Sequence, residues 1–115
     1  MAINDALLNV GAGAIATAAA YAQIHTGAPN ASGSNEATTA RKLIDWTVPA
    51  AGDISLEAPL AFTGGAASGP ATHIGFWSAA TAGVFYGWLA LTGDQTFNAA
   101  GEYTVNAITL NSAVA

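Results

Sequence analysis

Two imidazoles, His25 and His73, seven carboxylates and a scatter of serines are the side chains of this 115-residue sequence best suited to acid–base, nucleophilic or metal chemistry. A metal centre would need a third ligand beside the imidazoles. No H-x-H, H-E-x-x-H or Asp-rich loop supplies one. Both histidines fall in predicted strands, where a strand-edge imidazole bonded to a backbone carbonyl is the expected role. A Ser–His–Asp triad would draw on Ser32, Ser34, Ser55, Ser68, Ser78 or Ser112, none of which sits in G-x-S-x-G. Gly11-Ala12-Gly13 follows a polar helix start rather than a strand and lacks the third glycine of a dinucleotide loop. Asp45, Asp53, Glu57, Asp94 and Glu102 are numerous enough for paired-carboxylate glycoside hydrolysis. Most of them fall at turns or strand ends, where solvated carboxylates collect. The sequence therefore nominates no catalytic, metal-binding or cofactor-binding residue, and the expectation is a non-enzyme without a cofactor.

Composition narrows the classes further. Only 8% of residues are charged and the net charge is −5, with Arg41 and Lys42 the sole cations. An ordinary soluble domain carries roughly 25% charged residues. A nucleic-acid binder needs a cationic footprint to displace counterions from phosphates, and a polybasic membrane-surface protein needs one too. Neither is expected here. With no cysteine, disulfide scaffolds, zinc ribbons and thiol enzymes are excluded. Residues 6–24 approach the length of a membrane span but are interrupted by Asn9, Gly11, Gly13, Thr17 and Gln23, and no positive charge precedes them as in a secretory signal. They read as part of the fold. A surface so poor in ions suits protein packed on protein, because charged side chains are depleted at interface cores.

The elements that must position these residues follow from periodicity and punctuation. Asn4 or Asp5 can cap a helix predicted over residues 4–17. Along it Ile3, Leu7, Val10 and Ala14 form one apolar row, and Leu8 and Ile15 an adjacent one that a neighbouring molecule could meet. Gly11 and Gly13 each cost about 1 kcal/mol in a helix interior, which suggests close packing against a sheet or a neighbour. From Ala19 the pattern alternates, with Tyr21, Gln23 and His25 on one face and Ala22 and Ile24 on the other. Residues 26–35 are loop chemistry. Residues 40–46 alternate again, as do Ile54 and Leu56 with Ser55 and Glu57. Pro59 marks an edge or a break, and residues 63–70 form a second loop. Residues 72–78 and 84–92 carry the clearest strand signals, joined by a hairpin connection at Ala79–Gly83. Residues 102–110 close the chain as a strand whose apolar phase slips between Val105 and Ile108, implying a bulge. About seven to eight short strands behind one N-terminal α-helix predict a mainly β fold, an antiparallel β-sandwich or barrel. The expected organisation is a single domain over 1–115, with the sandwich at 19–111.

In order along the chain, the helix is followed by Ile24-His25-Thr26-Gly27-Ala28-Pro29, Asn35-Glu36, Ala40-Arg41-Lys42, Trp46, residues 72–80 (THIGFWSAA), Gly83-Val84-Phe85-Tyr86-Gly87 and Gly101-Glu102-Tyr103-Thr104. This order is similar to a family of small tailed-bacteriophage virion proteins of tail-fibre or minor-tail type, from phages of actinobacteria. Thr39 departs from it, standing where the family would carry an aromatic. The resemblance implies a structural part of the particle, on the tail or decorating the capsid shell and assembled in the bacterial cytoplasm. It would pack against major capsid or tail proteins and against its own copies, as a homo-oligomer such as a trimer. Leu8, Ile15, Arg41, Trp77 and Trp88 are the expected interface residues, with Arg41 pairing with Asp45 or another acidic neighbour. Two other readings stand beside it. Trp46, Trp77, Tyr86 and Trp88 could form a glycan- or receptor-binding platform at a tail tip if they are exposed rather than core. An extracellular filament subunit built by strand or helix donation is the third.

Overall fold

The computed structural model describes residues 4–111, so Ile3 and Ser112 lie outside the described residues. A single helix, α1 (Asp5–Ala18), opens the fold. Asn4, in an extended conformation, is its cap: the side-chain oxygen accepts from Leu7 N at 3.1 Å. Asp5 instead sits in the first turn, where its charge complements the helix dipole. The helix rests on the strand at Asp53–Ser55, and Asn9 Oδ1 accepts from Gly52 N at 2.9 Å to fix that junction. Its inward side is Ala12 with Leu8 and Ile15 partly covered, and Ile15 packs on the core. The other row faces outward, with Leu7 56% and Val10 68% exposed. This reverses the expected roles of the two rows. Ala12 and Ala19 let the helix sit close on the Ile15 side, and among the described residues no comparable seat covers Leu7 and Val10. A methyl group at Gly13 would meet Pro49 Cγ at 4.0 Å, an ordinary contact, so close packing does not explain that glycine.

Eight strands follow. β1 (Tyr21–His25), β2 (Lys42–Leu43), β5 (His73–Trp77) and β6 (Phe85–Ala90) form an antiparallel sheet in the order β2-β1-β5-β6. β3 (Asp53–Ser55) pairs with β8 (Thr109–Asn111), and β4 (Leu60–Phe62) pairs with β7 (Tyr103–Val105). All these pairings are antiparallel and the strands close no barrel. The expected strand at 40–46 shrinks to two residues: Ile44 N still bonds to Ala20 O along the β1 ladder, but Trp46 bridges to Leu56 instead. The expected strand at 102–110 is two strands with different partners rather than one bulged strand. Val105 and Ile108 are both buried, and the chain changes partner between them. The bulge lies in the hairpin: register shifts between Phe76 and Trp77, so Phe85 rather than Tyr86 pairs with Trp77.

Register dictates what each face of the larger sheet carries. Ala22 opposite Phe76, and Ile24 opposite Ile74, share the face turned to the core. There they join Leu60, Phe62, Leu91, Phe97, Val105 and Ile108. Fully burying each large apolar side chain contributes about 1.5–3 kcal/mol. Tyr21 opposite Trp77, Gln23 opposite Gly75, and His25 opposite His73 share the other face. Residues 22–25 and 74–77 are buried throughout, so both faces are covered. The second cover is the segment between β1 and β2.

Candidate functional site

That segment, residues 26–41, folds back over the face bearing His25, Trp77 and Phe85. Its Gly, Pro, Asn and Ser residues make the turns: Asn30 Oδ1 accepts from Ser32 N and Ser34 N, and Ser34 Oγ accepts from Asn30 N. Gly33 lies flat on the aromatics with φ +80°, and a Cβ there would collide with the Trp77 indole. The seam is closed by Arg41. Its Nε donates to Glu36 Oε1 at 2.8 Å, and Nη1 donates to Ala79 O at 3.0 Å and Ala82 O at 2.7 Å. Its guanidinium lies 3.6 Å from the Trp77 ring centroid. Few geometries satisfy so many guanidinium donors while also using the cation on an aromatic face. Two residues earlier Thr39 is buried, its hydroxyl donating to Gln23 Oε1 while Gln23 Nε2 donates to Thr39 O at 2.6 Å. A hydroxyl at position 39 thus answers a buried amide that an aromatic ring could not.

His25 is wholly enclosed. Nδ1 donates to Ser34 O at 2.8 Å, and the ring stacks parallel to Trp77 at 6.2 Å between centroids and tilts against Phe85 at 5.7 Å. Among the described residues its Nε2, like Trp77 Nε1, meets no hydrogen-bond partner. Burial holds the imidazole below the ordinary histidine value. It outweighs the Ser34 carbonyl and Glu36, which favour the proton, while Arg41 and His73 add to the lowering. His73, directly opposite across β1 and β5, bonds to the Thr72 hydroxyl at 2.8 Å and meets Trp88 edge-on at 4.9 Å. The two imidazoles are thus neighbours, each engaged in the sheet. His25 is an interior strand residue rather than an edge one.

The expected interface residues are scattered by this arrangement. Trp77 is only 6% exposed and serves as the floor of the clasp, not as surface. Arg41 has its side chain 8% exposed and its ion pair is with Glu36, not Asp45. Leu8 is half-buried and Ile15 turns inward, whereas Trp88 remains 45% exposed. Sequence reasoning placed Trp77 and Arg41 at a surface because nothing in the chain order says that residues 26–41 return over β5. The only signal is the adjacent pair of cations, Arg41 and Lys42, in an ion-poor chain. Trp46 is core-facing, its Nε1 donating to Ala19 O at 3.0 Å.

Elsewhere, an open groove of about 500 Å³ runs between β4, β7 and the 92–98 turn, lined among others by Asp94, Glu102 and Tyr103. Its carboxylates are engaged locally. Asp94 Oδ1 accepts from Thr96 N and Oγ1, and Glu102 Oε1 accepts from Asn98 Nδ2. The Tyr103 hydroxyl donates to Asp94 O, and burial, with the Asp94 charge second, raises its pKa. Among the described residues no three His, Asp or Glu side chains gather to hold a metal, and no helix is long and apolar enough to cross a membrane.

What distinguishes the molecule is an ion-poor β-scaffold with a sealed, internally bonded aromatic face and a run of exposed apolar side chains along one edge strand. The family model for podophage GP4 fiber I protein gp80 matches residues 2–113, and the chain belongs to that family. No curated protein matches the chain. It is thus a phage tail-fibre-type protein and a component of the virion.

Proposed function

We propose that this protein is a non-enzymatic accessory subunit on the exterior of a tailed-phage particle, working by protein–protein packing against tail or major capsid proteins. The observation that carries the reading is the concentration of exposed apolar side chains on β6 and its flank: Val84, Tyr86, Trp88 and Leu89 within six residues, in a stretch without a charged side chain. Apolar patches on a soluble protein mark contact sites, and the fibre family supplies the particle. Assembly in the bacterial cytoplasm and an actinobacterial host complete the reading; the host rests on the ordered motifs alone. Mass spectrometry and gel densitometry of purified virions test it. A copy number matching the shell's repeating units assigns capsid decoration, a few copies assign the tail, and absence from the virion overturns the proposal.

A second reading has its own observation. Tyr86 and Trp88 are exposed beside a shallow depression formed with Pro29, Asn30 and Ala31. Two aromatic faces beside an amide-bearing loop suit stacking on a sugar ring. Trp88→Ala should then abolish binding to host-cell polysaccharide while leaving the thermal melt unchanged.

A further inference from the structure

We propose that β6 is completed by β6 of a second copy of this chain, antiparallel and about a two-fold axis near Gly87. The inference rests on the reading of the chain as a packing subunit and names its first partner. The four-stranded sheet has two edges, and they are built differently. β2 is two residues long, begins beside Arg41 with a cation of its own, and ends two residues before Asp45. Shortness and charge are the usual devices that keep a sheet edge from pairing further. β6 is six residues long, has neither Pro nor any charged residue, and among the described residues no strand pairs with its outer side. Such an edge takes an extended chain by strand addition.

Charge decides which chain. No Asp, Glu, Lys or Arg occurs from residue 58 to residue 93, so all seven carboxylates behind the −5 net charge lie elsewhere in the sequence. A strongly charged partner would find no counter-charge at this edge, whereas two copies meet there without like charges opposed. The register also suits self-pairing. Centred on Gly87, an antiparallel pair sets Tyr86 opposite Trp88 of the partner subunit, twice by symmetry, and cross-strand aromatic pairs stabilise sheets. Gly87 has φ +146°, a backbone that excludes most side chains, with open space where a Cβ would stand. Two strands can therefore approach closely at their crossing point. The product is a continuous eight-stranded sheet, four strands from each copy.

The test is light scattering and sedimentation of the whole purified chain across a concentration series. A dimer is expected. Trp88→Lys, with fold verified by circular dichroism, should weaken dimerisation by about a hundredfold or more, and Leu43→Lys at the β2 edge should leave it unchanged. A monomer at the highest soluble concentration, a trimer, or a dimer indifferent to Trp88→Lys overturns the proposal. So does a monomer that loses polysaccharide binding on Trp88→Ala, which would make the edge a glycan platform. Presence of the protein in virions separates these failures from failure of the packing reading itself: a monomer found in virions sinks the self-pairing alone.

Discussion

The two faces of the four-stranded sheet are made by alternate residues of the same strands, yet they are held in opposite ways. On the core face Ala22, Ile24, Ile74 and Phe76 join apolar side chains such as Leu60, Phe62, Phe97, Val105 and Ile108, and apolar volume does the holding. On the clasped face Gln23, His25 and Trp77 meet a loop, and the holding is done by Arg41, by Thr39 and by the His25 imidazole. The first kind of cohesion is insensitive to pH and tolerant of imprecise geometry. The second fails when a single donor, acceptor or proton is misplaced. The loop buries Trp77 as well, but it is held in place over that indole by polar contacts rather than by apolar side chains of its own.

The contrast can be broken most severely from the core side. Phe62→Ala, at a fully buried position on β4 within the core, should cost about 3–5 kcal/mol in urea unfolding. Arg41→Ala should cost about 2 kcal/mol, through the lost ion pair, two carbonyl bonds and the contact with Trp77. Its signature is local: amide exchange should accelerate in residues 26–41 and not in β4 or β7. Arg41→Lys should not restore the clasp, since an ammonium cannot serve Glu36 and both carbonyls from one plane.

Acid sharpens the comparison at smaller amplitude. His25 is buried with its proton affinity lowered below the ordinary value of 6.5, and the groups around it are Glu36, Arg41 and His73. The unfolded chain therefore binds a proton at His25 more readily than the native one does. Its contribution to stability is complete above pH 6.5 and is lost as pH falls below it, by at most about 1.4 kcal/mol per pH unit. Subtracting the pH profile of His25→Asn from that of the parent chain isolates this slope. A difference profile flat between neutral and mildly acidic pH would contradict it. The smallest effect is expected on the outward row of the helix, where Leu7→Ser should change stability by less than about 0.5 kcal/mol, read from the thermal midpoint.

Much of this was legible in the chain. The alternation of Tyr21–His25 and of residues 72–78, the hairpin to β6 and the N-terminal helix follow from local periodicity, and the structure has each of them. What local pattern cannot encode is where a loop lies. Residues 26–35 read correctly as turn chemistry, but their return over Trp77 depends on contacts that span the chain, such as Arg41 to Ala79 and Ala82. The split of the last strand was visible only as a phase slip at Val105–Ile108, which a bulge explains equally well until β3 and β4 are known to be separate partners. The helix rows were inverted for a similar reason. Alanines, not leucines, decide the seat when the approach is close.

The scarcity of cations gives the clasp a built-in reporter. Trypsin has two bonds to cut in the whole chain, after Arg41 and after Lys42, and they are adjacent. The first is guarded by a guanidinium enclosed between a carboxylate, two carbonyls and an indole, the second by the strand that pairs with β1. Limited digestion therefore yields either the intact polypeptide or a shorter N-terminal and a longer C-terminal fragment, and the time course of that cleavage measures how often the flap over the aromatic face lifts.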